Sequence, residues 1–316
     1  MRSEFDFIHH IKKSYGLSRV GDDCAVLPKD AETDILITAD MLAEDVDFRL
    51  EWTSPELLGH KALAVSLSDI AAMGGRPTFA MLSFGVPESV WSGDFLERFY
   101  EGWHGLAREF GVELVGGDVS RIPEKFVIDS IVLGEVSKGK AILRSGAKPG
   151  DKIYVTGSLG GAAGGLKLLE SGTRHDQDLS QSARELIERQ LRPMPRLDLA
   201  DQFPASAMID LSDGLSSDLG HICEASGVGA VLYAEQIPID VRLDSIFSSL
   251  DEKLHLALDG GEDFELLFTA ERKKTLPPEI ADITCIGEIT ANIAKIELIR
   301  GGLASELKPK GFQHFR

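Results

Sequence analysis

The alternation of apolar and polar residues predicts strands and helices that follow one another without a fixed repeat. In the first half of the chain, apolar runs predict strands at residues 25–27, 34–39, 78–86, 112–115 and 126–136. Helices are predicted near the N terminus, from Ser54-Pro55 toward Met73, and over about residues 92–110, because serine caps a helix and proline fits its first turn. Strands and helices mix here without βαβ alternation, which favours an α+β domain with a sheet packed against helices.

A turn-rich segment, SGAKPGD at residues 145–151, predicts a boundary between an N-terminal domain, residues 1–144, and a C-terminal domain, residues 145–316. The second half has strand patterns at residues 152–155, 207–209, 231–233, 264–268 and 284–289, with helices ending near residues 170 and 225. We therefore expect a C-terminal α/β domain with a mixed sheet. The polar residues 171–181 predict a loop, and two prolines within residues 191–196 predict an extended segment.

Composition and charge narrow the classes of function. The chain has 316 residues, 43% of them hydrophobic, and a net charge of −18 from 51 acidic against 33 basic residues. That charge repels nucleic acid but leaves nucleotides possible, because bound divalent cations reverse the local field. No run reaches the roughly 20 apolar residues that span a membrane. The N terminus lacks a signal-peptide pattern, and the three cysteines fit no zinc spacing. We expect a soluble cytoplasmic protein with reduced, buried thiols.

Seven aspartates stand where apolar runs give way to glycine or small residues: Asp22, Asp23, Asp40, Asp69, Asp118, Asp210 and Asp213. Taken alone, each is more often a helix cap or a turn residue, and capping is a strong competitor at Ser212 and Asp213. Taken together, they offer the hard oxygen ligands that Mg²⁺ prefers. Gathering so many like charges without cations would cost several kcal/mol. The set therefore predicts a phosphoryl-transfer site with several magnesium ions.

The local setting of these aspartates supports that interpretation. Asp40 is predicted to end a strand on which Thr38 faces the same side. Asp69 falls in the last turn of a helix, where the helix dipole repels a carboxylate and a cation would remove the penalty. Asp118 follows Gly116-Gly117, a pair that lets a ligand approach the backbone closely.

Other kinds of chemistry find less support in the sequence. The glycine-rich residues 157–166 lack the GK[ST] of a phosphate-binding P-loop, so we interpret them as a tight strand-to-helix turn with close helix packing. There is no GxSxG nucleophile elbow, and the histidines have no metal-ligand spacing. His60 and His221 are expected to pack or cap within helices.

Seven segments in order carry a resemblance to a known family: GDDCAVL, TAD, KALAVSLSDIAAMGG, GGDVSR, LRSGAKPGD, IDLSDGLSSDLGHI and GGEDFELLF. The chain resembles the thiamine-monophosphate kinases, which share a superfamily with aminoimidazole-ribonucleotide synthetase and selenophosphate synthetase. The resemblance covers practically the whole chain. It implies ATP-dependent phosphorylation of thiamine monophosphate to thiamine diphosphate. It also implies a homodimer whose N-terminal domains together form a β-barrel, with ATP in the cleft between the two domains.

The resemblance also assigns roles to residues. The implied magnesium ligands are Asp23, Thr38, Asp40, Asp69, Asp118, Asp210 and Asp213, with Ala39 through its backbone. The implied ATP contacts are Gly117, Asp118, Arg144 on a phosphate, Ser212, and Tyr100 beside adenine. Glu262 and Phe312 would hold the thiamine portion. Asp47 stands where the family commonly has histidine, and it would meet a cationic thiazolium or a metal. Asp40, Asp210 and Asp213 would be central to catalysis.

The acceptor is already an ionised phosphate, so we expect direct in-line transfer without a general base and without a phosphoenzyme. Two other functions stay open at this point. One is a synthetase of the same superfamily that activates an oxygen by phosphorylation, as aminoimidazole-ribonucleotide synthetase does. The other is a non-catalytic acidic cation-binding protein, although the sequence has no DxDxDG calcium loop.

Overall fold

Two β-sheets, each covered by helices, form the framework of the computed structural model, which describes residues 4–199, 204–272, 282–293, 295–312 and 314. The first sheet has the strand order β1-β2-β5-β3-β4, in which β3 and β4 are parallel and the other pairs antiparallel. Its strands are β1 Ala25–Pro28, β2 Thr33–Ala43, β3 Arg76–Val86, β4 Glu113–Arg121 and β5 Val127–Ser137. The helices of this half are α1 Glu4–Tyr15, α2 Pro55–Ala72, α3 Glu88–Trp91 and α4 Phe95–Phe110.

The second sheet is also mixed, with the order β12-β11-β8-β10-β6-β9-β7 and one parallel pair, β8 with β11. Its strands are β6 Lys152–Thr156, β7 Ala205–Asp210, β8 Gly229–Tyr233, β9 Leu266–Ala270, β10 Ile283–Thr290, β11 Ile296–Arg300 and β12 Leu303–Glu306. The helices are α5 Gly161–Glu170, α6 Gln181–Leu191, α7 Leu215–Ser226 and α8 Leu250–Asp259, with 3₁₀ turns at Ala234–Gln236 and Val241–Ser245.

Helix α2 is buried between the two sheets. Ser54 Oγ accepts the backbone N–H of Leu57 at 3.3 Å, and Pro55 occupies the first turn, as the sequence predicts. All but three of its 18 residues are buried, so almost no side of the helix faces solvent. Its C-terminal Ala71 and Ala72 pack in one cluster with Met208 of β7 and Phe268 of β9. Both sheets therefore share this helix.

The first sheet has one covered face and one open face. Side chains such as Leu36, Leu82 and Val132 point toward the helices and are buried. On the opposite face, Met41 is 64% exposed and Phe79 is 41% exposed. Antiparallel sheets tolerate one uncovered face, but such faces are normally polar. The described residues of one chain form two open sheets and no closed barrel.

The α+β class of the first half and the mixed second sheet are confirmed, while several element boundaries are corrected. Strand β2 continues three residues past Asp40, so Asp40 lies inside the strand and the prediction that it ends there is wrong. Strand β4 extends to Arg121, well beyond its predicted end. Helices α6 and α8 were not predicted. The division between residues 144 and 145 falls in the segment linking β5 to β6 and stays a prediction.

The glycine-rich turn before α5 has the predicted structural role. A side chain at Gly165 would lie 2.0 Å from the carbonyl oxygen of Leu186, so glycine is required where α5 meets α6. The first backbone amides of the turn are occupied as well. Gly160 and Ala162 donate to the buried carboxylate of Asp263 at 2.6 and 3.1 Å. Asp263 therefore caps the N terminus of α5.

Two further expectations concern the cysteines and the membrane. Cys24 and Cys223 are buried and Cys285 is half-buried, and all three are free thiols. Among the described residues, no helix combines the length and the apolar character that crossing a bilayer requires.

Two glycines of α4 provide a matched test of the packing between α4 and α2. A methyl group at Gly102 would lie 1.9 Å from the carbonyl oxygen of Glu56, whereas one at Gly105 would meet no atom within 4 Å. We expect Gly102→Ala to lower the free energy of unfolding by about 1–3 kcal/mol, because the backbones must separate. Gly105→Ala should instead raise it by roughly 0.5–1 kcal/mol through helix propensity. Urea unfolding of both variants measures this, and equal effects would contradict the close approach.

Candidate metal and phosphate site

Three aspartates that are distant in sequence meet where the two sheets join. Asp23 precedes β1, Asp69 lies in the last turn of α2, and Asp210 is the last residue of β7. One carboxylate oxygen from each lies within 4.8 Å of those of the other two. This separation suits oxygen atoms that share cations. Three of the predicted ligands are therefore brought together.

Hydrogen bonds from neighbouring side chains fix these carboxylates. Thr38 Oγ1 donates to Asp69, which joins β2 to α2. Ser68 Oγ donates to Asp210 Oδ2 at 2.7 Å, a bond between the helix and the second sheet. Each acid keeps at least one further lone pair for another partner. Ser68 was not singled out from the sequence, although a serine inside a helix with no exposed face is a usable signal.

Arg144 is the cation closest to this group. Its Nε donates to Asp23 Oδ1 at 3.1 Å, and its NH2 group makes a second, shorter bond to the same oxygen. Its backbone N–H donates to Asp22 Oδ1 at 2.8 Å, which anchors the segment. Burial lowers the pKa of Arg144, but the carboxylates of Asp23, Asp210 and Asp69 outweigh it and hold that pKa above its usual value.

Burial and mutual repulsion raise the pKa values of the clustered carboxylates. Burial raises the pKa of Asp40 to about 6, and the carboxylates of Asp129 and Asp23 add to the shift. Burial raises the pKa of Asp210 to about 8, with a further contribution from Asp23. Burial together with the charges of Asp40, Asp210 and Asp23 raises the pKa of Asp69 well above its usual value. One arginine does not neutralise four carboxylates.

The residues present fit divalent cations. Oδ2 of Asp23 and Oδ2 of Asp40 are buried and have no hydrogen-bond partner among the described residues. A buried acceptor without a donor is rare in proteins and calls for a cation or a bound donor. The donor set is carboxylate and hydroxyl oxygen, the chemistry that Mg²⁺ favours over softer metals.

Asp213 belongs to a second group rather than to the first. Its carboxylate lies within 4.8 Å of ligand atoms of Asp218 and His221, both on α7. The N-cap residue of α7 is Gly214, whose N–H is bonded to Asp218 Oδ2 at 3.0 Å. The competing interpretation of Ser212 or Asp213 as the N-cap residue is therefore wrong. Asp218 and His221 were not predicted as site residues.

A cavity of about 420 Å³ adjoins this second group. It lies between α7 and residues 306–312, and Asp213, His221 and Phe312 line it. Burial lowers the pKa of His221 to about 4, with the charge of Arg144 acting in the same direction. His221 is therefore a neutral imidazole at physiological pH. The side chain of Phe312 is 45% exposed, and its N–H donates to the carbonyl oxygen of Asp213 at 3.2 Å.

Asp118 lies apart from the aspartates in a single chain. It is exposed on the edge strand β4, where it pairs with Ser83 of β3. Ser83 also pairs with Asp129 of β5, which in turn pairs with Met41 of β2. Paired residues point to the same face, so Asp118 is on the open face, opposite to Asp40. Three strand spacings separate β4 from β2, about 14 Å. The same register puts the side chain of Ala39 on the open face, so only the backbone of Ala39 can act as a ligand beside Thr38.

The two other predicted ATP contacts from this half lie near β3. A side chain at Gly117 would lie 1.9 Å from the carbonyl oxygen of Leu82, so the glycine is required by the pairing of β4 with β3. Tyr100 is half-buried on α4 and packs edge-on against Phe84, with ring centroids 5.9 Å apart. It lines a separate cavity with Glu97, Glu101, His104 and Arg108.

A second polar network surrounds Glu262. Lys61 of α2 is 3% exposed and its Nζ lies 2.7 Å from Glu262 Oε1, while Gln190 of α6 donates through Nε2 to Glu262 Oε2. Glu262 has φ of 58°, in the left-handed region. Asp47 Oδ2 accepts the backbone N–H of Ala43 at 2.8 Å. Burial raises the pKa of Asp47, and the charges of Glu262 and Lys61 act on it, so this acid borders the network.

Comparison with known proteins identifies relatives along nearly the whole chain. Residues 21–136 match the family model of the AIR synthase related protein, N-terminal domain, and residues 148–292 match that of its C-terminal domain. Thiamine-monophosphate kinase of Bacillus subtilis (strain 168) is 39% identical over 319 residues, covering 98% of this chain and 96% of that protein. The enzyme of the same name from Escherichia coli (strain K12) is 39% identical over 306 residues, covering 94% and 91%.

Solved structures are also similar to this chain over nearly its whole length. A structure described as AaThiL complexed with AMPPCP and TMP superposes with a TM-score of 0.90 at 34% identity, covering 99% of this chain and 97% of that one. Thiamine-monophosphate kinase from Stenotrophomonas maltophilia K279a superposes with a TM-score of 0.78 at 35% identity, covering 96% and 98%.

The buried carboxylates predict that either removing a charge or binding magnesium stabilises the protein, and that the first change weakens the effect of the second. At about pH 9, above the pKa of about 8 given by burial to Asp210, that acid is ionised and destabilises the metal-free protein. Asp210→Asn should therefore raise the metal-free Tm. Saturating Mg²⁺ should raise the wild-type Tm by on the order of 5 °C and the Asp210→Asn Tm by much less. Calorimetry with EDTA and with Mg²⁺ measures both effects.

Asp178→Asn serves as the control because it removes one negative charge from an exposed loop. Its Tm values should equal those of the wild type with and without the metal. An equal magnesium response in wild type and Asp210→Asn would remove Asp210 from the ligand set.

Proposed function

Because the chain belongs to the thiamine-monophosphate kinases of the AIR synthase related protein family, we infer that it transfers the γ-phosphoryl group of ATP to thiamine monophosphate. The products are ADP and thiamine diphosphate. The observation that carries this function is the meeting of Asp23, Asp69 and Asp210 from separate elements at the junction of the two sheets. A site so acidic accepts phosphates only together with cations.

Within one chain, the residues that would hold magnesium divide into two groups, and Asp118, the remaining implied ligand, lies apart from both on the open face. Asp23, Asp69 and Asp210 form the first, to which we add Asp40, whose charge raises the pKa of Asp69. Thr38 and the backbone of Ala39 lie beside them. Asp213 would act with the second group on α7. When bound, the ions supply the positive charge that offsets the phosphate oxygens in the transition state.

The protein's own part in the reaction is positioning. The acceptor oxygen belongs to an ionised phosphate, so no side chain has to remove a proton from it, and transfer is direct. Arg144 is held at the edge of the acidic group by Asp23, and its guanidinium is the protein cation available to a phosphate there. Ser212 sits between Asp210 and Asp213, where its backbone carbonyl accepts the N–H of Glu262 at 2.8 Å.

The remaining contacts lie on either side of that centre. On the nucleotide side we assign Gly117 and Asp118 of β4 and Tyr100 of α4 to ATP. On the acceptor side we assign Asp47, Glu262 and Phe312 to the thiamine portion. Asp47 supplies a negative charge for the thiazolium ring in place of the family's histidine. The three free thiols support a reducing compartment, the cytoplasm.

The open face of the first sheet supports a homodimer. Met41, Phe79 and Met81 are exposed there side by side with half-buried Ile131 and Leu133. An apolar sheet face of this kind is normally covered. We assign its cover to the same face of a second copy, so that two sheets close into the barrel that the family resemblance implies. Asp118 lies on this face, so the second copy completes the nucleotide side of the site.

Turnover should depend strongly on Asp40. We expect Asp40→Asn to lower kcat by about 10²–10³-fold or more, because a buried ligand for the cation charge is lost while the shape is kept. The assay contains ATP, Mg²⁺ and thiamine monophosphate, and it follows both ADP and thiamine diphosphate. Formation of ADP without the diphosphate in the wild type would exclude the proposed kinase.

Asp34→Asn is the matched control for that variant. Asp34 lies on the same face of the same strand, about 20 Å away, where its buried carboxylate pairs with the ammonium group of Lys138. Its turnover should match that of the wild type. Near-normal turnover in Asp40→Asn would reject the assignment of Asp40, and a trapped aspartyl phosphate would reject direct transfer.

The homodimer gives a separate prediction. Met81→Asp places a charge at the centre of the open face and should convert a dimer of twice the 34.3 kDa chain mass into a monomer. Leu303→Asp, at a residue 78% exposed on β12, should leave the dimer intact. Sedimentation equilibrium decides between the two states. A wild-type protein that sediments as a monomer at micromolar concentration would refute the dimer.

A further inference from the structure

Gln190 has one buried polar atom without a partner. The residue is 4% exposed near the end of α6, and its Oε1 has no hydrogen-bond donor among the described residues. Leaving an amide oxygen buried and unpaired is costly, so such atoms usually mark a place for water or a ligand. No role in the family resemblance falls on this residue.

The orientation of the Gln190 amide is fixed by Glu262. Nε2 donates to Glu262 Oε2, and Glu262 Oε1 is paired with the ammonium group of Lys61 at 2.7 Å. A carboxylate that is paired with an ammonium group accepts hydrogen bonds and donates none. Exchanging the amide oxygen and nitrogen would therefore put two acceptors face to face. Lys61 and Glu262 are positioning residues that turn Oε1 away from themselves.

Gln190 lines a narrow cavity at the junction of the two halves of the chain. Asp47 and Trp52 from the loop after β2, Lys61 of α2 and Leu191 of α6 are among the other lining residues. The cavity has a volume of about 20 Å³, which matches a single water-sized group. A donor no larger than an amino group fits it, while a ring would stay at its mouth.

We propose that Gln190 is a specificity-determining residue whose Oε1 accepts a hydrogen bond from the exocyclic amino group of the substrate's aminopyrimidine ring. The inference rests on the proposed function, in which Glu262 and Asp47 border the same substrate. The aminopyrimidine carries an N–H donor on a flat ring, which satisfies the orphaned oxygen. An analogue with a carbonyl oxygen in place of that amine would set two acceptors against each other.

The test compares thiamine monophosphate with oxythiamine monophosphate, in which an oxygen replaces the amine. We expect kcat/KM of the wild type to favour the amine by between about tenfold and a hundredfold. Gln190→Met keeps the size of the side chain and removes the acceptor, so its preference should fall below about threefold. Gln181→Met, the same change at the exposed start of α6, should keep the wild-type preference.

The outcomes separate this inference from the function beneath it. A wild-type preference below threefold, or an undiminished preference in Gln190→Met, overturns the role of Gln190 while leaving the kinase in place. Failure of the wild type to phosphorylate thiamine monophosphate at all overturns the kinase itself. The preference is a ratio of two kcat/KM values measured on the same protein, so the loss of active protein through partial unfolding cancels from it. The wild-type preference tests the inference even where a variant fails to fold.

Discussion

The buried negative charge at the junction of the sheets is the constraint on which the rest of the structure depends. Four carboxylates, those of Asp23, Asp40, Asp69 and Asp210, are shielded from water and face Arg144 as their nearest cation. Ionised together, they repel one another and lose hydration, so the free protein holds them only with raised pKa values. Partners that bring positive charge relieve both penalties. The site is thus built to be incomplete by itself, and magnesium with a polyphosphate is the natural complement.

Helix α2 brings these carboxylates together because it packs against both sheets. Because nearly all residues of this helix are buried, its buried polar side chains must find partners inside the protein. Ser68 finds Asp210 in the second sheet, Asp69 finds Thr38 in the first, and Lys61 finds Glu262 beyond the end of α8. The polar residues of this helix therefore set the relative placement of the two sheets and the geometry of the site at the same time.

The sequence allowed prediction of those aspartates whose position depends on local structure. Periodicity alone gives the shared face of Thr38 and Asp40 and the place of Asp69 in the last turn of a helix. It does not give the strand order β1-β2-β5-β3-β4, which sets Asp118 about three strand spacings from β2. The face of Asp118 also depends on a register shift in the pairing of β3 with β4, a tertiary feature. No local pattern in the sequence points to Gln190, because its partner Glu262 is 72 residues away.

The spacing along α2 relates the two ends of the proposed site. Lys61 and Asp69 are eight residues apart, which corresponds to about 12 Å along a helix. In the proposed function, Lys61 marks the end where Gln190 offers its Oε1 to a ring amine, and Asp69 marks the end where cations and phosphates would bind. A substrate with an aminopyrimidine at one end and a phosphate at the other must lie along this helix to satisfy both. Under that proposal, the helix would select substrates by the distance between the two groups, a form of recognition that neither end provides alone.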